Sequence, residues 1–204
     1  MFTGLIREMA HVKSFGGNRL SLKAEHKPKL GDSIAINGTC LSVVSIESDG
    51  FSVELSPETL KHIASEKLSG KVHIEPAMMM GDRFEGHIVQ GHIDTIGTIA
   101  SIADNGNSYD VIIDVDPEFI PLIPPKGSIT IDGISLTVNE VMKESFRLTI
   151  IPITMRETLF GSYKKGTRVN IETDVFARYM HHILSTSGKR DLSWSDVEHI
   201  QSLY

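Results

Sequence analysis

Short apolar stretches bounded by turn residues recur along most of the chain. Stretches such as SIAIN (33–37), FSVEL (51–55) and KVHIE (71–75) are rich in Val, Ile and Ser, and they partly alternate apolar with polar positions. Gly, Asp and Pro separate such stretches at intervals of about 8–12 residues, a pattern typical of short antiparallel strands. About six strands in each half of the chain favour a small closed barrel or a sandwich.

The second half of the chain repeats the first. At an offset of 95 residues, SIAINGTCLSV (33–43) aligns with SITIDGISLTV (128–138), and six of the eleven aligned pairs are identical. The offset becomes 97 where KVHIE (71–75) aligns with RVNIE (168–172). Internal repeats of this kind indicate repeated structural units. The sequence up to about residue 178 therefore predicts two tandem copies of one β domain.

A different period begins after the second copy. Apolar residues of DVFARYMHHILST (174–186) recur at helical spacing on one face, which predicts an amphipathic helix. Because both barrels are complete before it, we expect the apolar face to contact a partner subunit. Packing against its own barrel is the alternative. The tail, 188–204, is expected to be a second short helix or loosely held. The apolar face consists of Val175, Phe176, Tyr179, Met180, Ile183 and Leu184.

Composition narrows the classes of function. The chain has 204 residues, a formal net charge of -6 and 40% hydrophobic residues, which is ordinary for a globular protein. Its acidity and scattered basic residues disfavour nucleic acid as a partner, and no apolar run approaches the roughly 20 residues that cross a membrane. Without a recognisable secretory signal, we expect the cytoplasm. The single cysteine, Cys40, forms neither an internal disulfide nor a cysteine-based zinc site.

Six motifs make the chain resemble the riboflavin synthase family. Each motif alone is weakly specific, but together they follow in order, in both copies, over about residues 1–186. The motifs are MFTG (1–4), NGTCLSV (37–43), SPETL (56–60), GHIVQGHID (86–94), DGISLTV (132–138) and VNIETD (169–174).

The resemblance implies an all-β fold of two tandem six-stranded Greek-key barrels followed by a C-terminal α-helix. On this basis residues 1–86 form an N-terminal lumazine-binding barrel, 87–173 a C-terminal lumazine-binding barrel, and 174–187 a trimerisation helix. The resemblance further implies a homotrimer. Its active site lies between the N-terminal barrel of one subunit and the C-terminal barrel of its neighbour.

The activity implied by the resemblance is the last step of riboflavin biosynthesis. One molecule of 6,7-dimethyl-8-ribityllumazine transfers a four-carbon unit to another, which gives riboflavin and 5-amino-6-(D-ribitylamino)uracil. No metal or other cofactor is expected for this transferase reaction. Duplication suits it, because two related pockets can hold two identical substrates face to face and so replace a random encounter with an oriented one. Physical association with lumazine synthase stays open.

Cys40 of the first copy and His92, at the start of the C-terminal barrel near the shared site, are two candidate catalytic residues. Cys40 aligns with the active-site cysteine of the family, although a cysteine in a strand is more often a small core residue. His92 is the candidate acid–base group, because imidazole titrates near neutrality. His87 lies five residues earlier, which on a strand points the two rings to opposite faces and argues against a two-histidine metal site. A surface or linker role is the alternative for both, and the resemblance favours His92 alone.

Ser135 and Thr137 are the candidate catalytic residues of the second pocket, and Asp174 is a candidate that acts across the subunit boundary. Ser135 and Thr137 align with Cys40 and Ser42 of the first copy, and the resemblance implies that they bind the edge of the lumazine ring. Ser135 is expected to help remove a proton from the acidic C7 methyl group, which needs a group within hydrogen-bond reach. Asp174 is expected both to cap the last helix and to contribute to the shared site.

The resemblance also implies a set of substrate-binding residues in the two pockets. For Lys126 and Asp132 the alternatives are a solvated surface lysine and a turn residue. Ile153 departs from the polar residue usual in the family, which weakens the case for a side-chain contact there. The set comprises Phe2, Thr3, Gly4, Leu5, Ile6, Ser33, Leu41, Ser42, Glu54, Leu55, Ser56, Pro57, Glu58, Thr59, Gly91, Ile93, Lys126, Asp132, Leu136, Ile151, Pro152, Ile153, Thr154, Met155 and Arg156.

A non-catalytic carrier of lumazine or flavin is the alternative function, since such carriers share the fold. These carriers keep the first pocket and lose the catalytic groups, above all around the cysteine and in the second pocket. Here the family's polar residues are present in both copies. The sequence therefore favours the enzyme.

Overall fold

The computed structural model describes residues 1–187 and confirms the predicted fold class, two closed six-stranded antiparallel barrels with a C-terminal helix. The tail expected at 188–204 lies outside the described residues. The first barrel closes in the order β1-β2-β5-β4-β3-β6. Its strands are β1 (Glu8–Gly16), β2 (Arg19–Lys23), β3 (Ser33–Ile36), β4 (Thr39–Glu47), β5 (Gly50–Glu54) and β6 (Lys71–Pro76).

The second barrel repeats the topology of the first, strand for strand. Even the irregularities recur: the register shifts after Val12 and Val43 in the first barrel and after Ile99 and Val138 in the second. Such bulges bend strands and help a sheet to close. The strands are β7 (Thr95–Asp104), β8 (Tyr109–Asp114), β9 (Ser128–Ile131), β10 (Ile134–Val141), β11 (Ser145–Ile150) and β12 (Arg168–Thr173).

Alternating apolar residues fill the interior of each barrel. In β11, Phe146, Leu148 and Ile150 point inward and are buried, whereas the residues between them are half-buried. Phe51 takes the place of Phe146 in the first barrel and is equally buried. Truncation of such a core phenylalanine typically costs about 3–5 kcal/mol. Each copy therefore has its own core.

The two barrels meet through a pair of equivalent hairpin turns. Asn37 and Asp132 occupy the left-handed region, with φ of 44° and 47°. Each is the first residue of a two-residue hairpin turn whose second residue is glycine, and such turns require positive φ. Their side chains accept bonds from their own barrels: Asn37 Oδ1 from His73 N and Asp132 Oδ1 from Asn170 N, both at 2.9 Å. Their carbonyls face the opposite barrel, where His73 Nδ1 donates to Asp132 O and Asn170 Nδ2 to Asn37 O, again at 2.9 Å.

A second pair of bonds completes this junction between the barrels. The backbone N–H of Leu159 donates to Nε2 of His73 at 2.8 Å, and that of Ala64 donates to Oδ1 of Asn170 at 2.8 Å. Because Nε2 of His73 accepts a bond, its proton lies on Nδ1 and the ring is neutral. A neutral histidine in one copy thus makes the bonds that asparagine makes in the other.

Three α-helices complete the described chain. The first two are six-residue helices that follow β5 and β11, α1 (Pro57–His62) and α2 (Pro152–Glu157). Helix α3 (Val175–Thr186) leaves its apolar side chains other than Val175 between 52% and 69% exposed. The alternative that this face packs against its own barrel is therefore wrong. Within residues 1–187, no helix has the length and apolar character needed to cross a membrane.

Candidate functional site

Two extended segments lie between the barrels and carry predicted site motifs. Residues 2–6 precede β1, residues 87–93 precede β7, and the two pair through Phe2 and Val89 with N···O distances of 2.8 and 3.1 Å. MFTG (1–4) lies outside the strands of the barrel, since β1 begins at Glu8. Both segments instead belong to the space between the barrels.

A buried glutamate holds each segment to its own barrel. Glu75 in β6 accepts bonds from Thr3 N (2.8 Å), Thr3 Oγ1 (3.0 Å) and Gly4 N (3.1 Å). Glu172 in β12 accepts bonds from the backbone N–H groups of 90–91 at 2.8 and 2.9 Å. Burial raises the pKa of Glu75, and it raises the pKa of Glu172 to about 7. The two glutamates fix the segments in equivalent positions.

Each segment also contacts the opposite barrel at the residues predicted to differ in chemistry. Cys40 N donates to Gly91 O at 2.9 Å, and Ser135 N donates to Gly4 O at 2.8 Å. A Cβ atom at Gly91 would lie 2.6 Å from Cβ of Cys40, and one at Gly4 would lie 2.6 Å from Cβ of Ser135. Both glycines have positive φ. Only glycine allows the backbone to come this close in this conformation. The two contacts put Cys40 and Ser135 in equivalent positions.

A cavity of about 220 Å³ opens beside Cys40 in the first barrel. The structure therefore brings together seven of the predicted residues, from β4, α1 and the 87–93 segment. This Cys40 pocket is lined by Thr39, Cys40, Ser56, Glu58, Thr59, His62, Ile63, Gly91, His92 and Ile93.

Thr39 is a pocket residue that sequence reasoning missed. It is only 4% exposed, it lines the Cys40 pocket, and its hydroxyl has no hydrogen-bond partner among the described residues. An unpartnered buried hydroxyl is costly, by about 1–3 kcal/mol. The aligned residue in the second copy is Ile134, so the two copies differ here in polarity. This difference in polarity between the aligned copies is the sequence signal that could have identified Thr39.

In the second barrel, Ser135 pairs with a histidine that sequence reasoning set aside. Ser135 Oγ lies 2.7 Å from Nδ1 of His87, and Thr130 Oγ1 lies 3.3 Å from its Nε2. His87 is buried, so the alternative of a surface residue is wrong, although the residue does lie in the segment that links the barrels. Burial lowers the pKa of His87, and the negative charge of Asp174 opposes the shift. A neutral His87 can accept the proton of Ser135.

Asp132 is part of the junction between the barrels. Its carboxylate is fully buried and accepts bonds from Lys67, from the hydroxyl of Tyr163 at 2.7 Å and from Asn170 N. Burial and the charge of Asp132 raise the pKa of Tyr163 well above its usual value. The expected turn geometry is present, while the oxygens of the side chain are occupied by residues of the protein.

Asp174 has the conformation of a helix cap, and Lys126 that of a solvated surface lysine. Asp174 caps α3, as expected, by accepting a bond from Phe176 N at 2.8 Å. Lys126 is exposed and adopts φ of 64°, where the first copy has Gly31 with φ of 85°. A lysine in this left-handed conformation is uncommon.

The other predicted substrate-binding residues differ in exposure. The buried members are Phe2, Thr3, Leu41 and Leu55. Half-buried members are Leu5, Ile6, Ser33, Leu136, Thr154 and Met155. Exposed members are Ser42, Glu54, Pro57, Ile151, Pro152, Ile153 and Arg156, together with the catalytic candidate Thr137.

Comparison with known proteins agrees with this arrangement of two equivalent sites. A family model described as "Lumazine binding domain" matches residues 3–77 and 90–174. The chain is thus a protein with two lumazine-binding domains. Riboflavin synthase of Actinobacillus pleuropneumoniae is 43% identical over 193 residues, which cover 90% of each chain. Riboflavin synthase of Photobacterium phosphoreum is 37% identical over 201 residues, which cover 94% of this chain and 92% of that relative. The chain belongs to the riboflavin synthase family.

Solved structures of LumP share the fold. LumP complexed with riboflavin superposes with a TM-score of 0.77 at 22% identity, covering 85% of this chain and 99% of that chain. LumP complexed with 6,7-dimethyl-8-(1'-D-ribityl) lumazine gives a TM-score of 0.75 at 21% identity, with the same coverage. These neighbours confirm the architecture.

Proposed function

We propose that this chain catalyses the dismutation of two molecules of 6,7-dimethyl-8-ribityllumazine to riboflavin and 5-amino-6-(D-ribitylamino)uracil, a transfer of a four-carbon unit in the cytoplasm. The observation that carries the proposal is the reciprocal contact of Gly91 with Cys40 and of Gly4 with Ser135. It builds two equivalent sites with unequal side chains, as two identical substrates with unequal roles require. We assign 1–86 and 87–173 to the two lumazine-binding domains.

In the second barrel, Ser135 and His87 form the pair that moves a proton. Ser135 Oγ takes a proton from the acidic C7 methyl group of a bound lumazine and passes its own proton to Nδ1 of His87, 2.7 Å away. Thr130 holds the other ring nitrogen. General acid–base groups are most effective when their pKa lies near the working pH, and the charge of Asp174 opposes the effect of burial on His87.

In the first barrel, Cys40 and His92 face the other lumazine in the Cys40 pocket, close to its C7 carbon. The cavity of about 220 Å³ is smaller than the roughly 300–1,000 Å³ typical of small-molecule pockets. One chain alone therefore leaves much of a ring ligand uncovered. This favours a homotrimer in which a neighbouring second barrel completes the pocket, with the exposed apolar face of α3 (in 174–187) as the subunit contact.

Incubation of the purified full-length chain with 6,7-dimethyl-8-ribityllumazine tests the proposed function. We expect riboflavin absorbance to appear, with two lumazine molecules consumed for each riboflavin formed. Lumazine binding without any riboflavin would contradict the enzyme and support a carrier. Sedimentation of the active protein should give three chains per particle, whereas a fully active monomer would contradict a site shared between subunits.

Replacing Thr39 with valine is expected to weaken lumazine binding in the Cys40 pocket by about 3- to 10-fold. The physical reason is the loss of one hydrogen bond to the ligand, worth about 0.5–1.5 kcal/mol. The free protein should be equally or more stable, since the hydroxyl removed is buried and has no partner within residues 1–187. Calorimetric titration with lumazine and thermal unfolding measure the two effects.

Thr39→Ser is the matched control, because it keeps the hydroxyl and should retain affinity. Unchanged affinity in Thr39→Val, or a lower melting temperature without weaker binding, would show that Thr39 serves the fold and not the ligand.

A further inference from the structure

Arg178 on α3 reaches back to the segment that walls the Cys40 pocket. Its Nη2 donates to Oε1 of Gln90 at 2.8 Å, and its Nη1 donates to Oδ1 of Asp94 at 3.2 Å. Nη2 also lies 3.5 Å from Oε1 of Glu172. The side chain is 23% exposed. A single guanidinium therefore connects the helix, strand β12 and both ends of residues 90–94, here called the Gln90–Asp94 segment.

The segment is held at both ends while its functional residues lie in the middle. Oδ2 of Asp94 accepts bonds from N and Oγ1 of Thr173, both at 2.7 Å, which ties this end to the last residue of β12. Between Gln90 and Asp94 lie Gly91, which contacts Cys40, and His92, which lines the pocket. The position of these two residues thus depends on the anchors.

The first copy has a different residue at the place equivalent to Asp94. Arg7 aligns with Asp94, and it is exposed. The linker 77–86 aligns with the start of α3, but it has no helix. Since the copies otherwise match strand for strand, the arginine anchor is an addition of the second copy that accompanies the helix.

We propose that Arg178 is a positioning residue that holds the Gln90–Asp94 segment to α3 and thereby fixes the wall of the Cys40 pocket. Its importance for catalysis rests on the proposed function, whereas the positioning itself follows from the contacts. Because α3 also carries the exposed apolar face, a subunit seated on that helix is coupled through Arg178 to the pocket.

The charges around Glu172 support this role. Burial raises the pKa of Glu172, the charge of Asp94 raises it further, and Arg178 and the N–H groups of 90–91 oppose the shift. Arg178 thus favours the ionised carboxylate that accepts both N–H bonds of the segment. Its loss weakens the segment at Glu172 as well as at its ends.

The only thiol of the chain reports on this segment. Gly91 lies against Cβ of Cys40, so release of the segment uncovers the cysteine. We expect Arg178→Ala to raise the rate of Cys40 alkylation by iodoacetamide at least 5-fold and to lower the turnover of lumazine about 10-fold. Arg178→Lys, which restores one point charge, should recover part of both.

Arg147→Ala is the matched control. Arg147 is 30% exposed and also pairs with two carboxylates, Asp110 and Glu140, but on the strands of the second barrel. It should leave the alkylation rate unchanged. Should Arg178→Ala fail to fold, Gln90→Leu breaks the shortest of the three bonds and gives the same test.

The alkylation rate tests the positioning role of Arg178, and the turnover of lumazine tests the proposed function. An unchanged alkylation rate in both Arg178→Ala and Gln90→Leu would overturn the positioning role, whether or not the protein makes riboflavin. Faster alkylation in a chain that never makes riboflavin would support positioning and overturn the proposed function.

Discussion

Replacing Asp132 with alanine is expected to lower the free energy of unfolding by about 3–5 kcal/mol, the usual cost of removing one partner of a buried ion pair. The Asp132 carboxylate is fully buried, and its oxygens accept bonds from Lys67, Tyr163 and Asn170. Alanine leaves the largely buried ammonium group of Lys67 without a counter-charge. Urea unfolding at neutral pH, followed by circular dichroism, measures the loss.

Asp132→Asn separates the charge from the conformation. Asparagine already occupies the equivalent turn at Asn37, with φ of 44° against 47°, so the turn should tolerate it. We expect a smaller loss, about 1–3 kcal/mol, because hydrogen bonds survive while the charge does not. A loss below about 1 kcal/mol in Asp132→Ala would show that the pair barely outweighs its own desolvation.

The junction matters for function because it orients the two pockets of one chain. Asp132, Asn37, His73 and Asn170 bond across it, and the extended segments that reach Cys40 and Ser135 run through the same space. A shift of one barrel against the other would therefore move both contacts together. In the proposed trimer each of these pockets faces a barrel of a neighbouring subunit, so the junction sets the positions of the two shared sites to which one chain contributes.

The barrels could be predicted because their signals are local and doubled. Alternation over five or six residues indicates a strand, and the same alternation 95 or 97 residues later confirms the unit. The turns that contain Gly38 and Gly133 lie directly between the two strands that each of them joins. The helix after residue 174 is equally local, with an aspartate cap and a 3.6-residue period.

The contacts that shape the site could not be read in this way. His87 meets Ser135 across 48 positions, and Arg178 meets Gln90 across 88. Neither pair shares a strand or a helix, so no period connects them. His87 has no local pattern that points to Ser135, because 87–93 is an extended segment outside the barrel strands. Only the fold brings these side chains together.

His73→Asn is expected to flatten the loss of stability on acidification. Burial lowers the pKa of His73 to about 4 from its usual 6.5. Above about pH 6.5 both folded and unfolded chains hold it neutral, so it adds no pH dependence. Between about 6.5 and 4 only the unfolded chain binds the proton, which lowers the free energy of unfolding as pH falls, by up to about 3 kcal/mol in total.

The asparagine variant should equal the wild type near neutral pH and exceed it by about 2 kcal/mol at about pH 5. Asn170 makes the same bonds from the other barrel, so asparagine fits the place. Glu172 acts in the opposite sense, since its raised pKa of about 7 favours the folded state as pH falls from 7 to 4.5. That contribution is common to both proteins and cancels in their difference.

Urea unfolding of both proteins between about pH 7.5 and 5 measures this difference. Asn170→His is the reciprocal control: it puts a second imidazole between Ala64 N–H and the Asn37 carbonyl, and it should steepen the acid loss. Parallel curves of unfolding free energy against pH for wild type and His73→Asn would contradict the prediction. They would mean that His73 binds its proton as easily in the folded chain as in the unfolded one, although Nε2 accepts the bond from Leu159 N in the folded chain. A curve for His73→Asn that falls less steeply, with an unchanged value at neutral pH, would identify His73 as the acid-sensitive contact between the barrels.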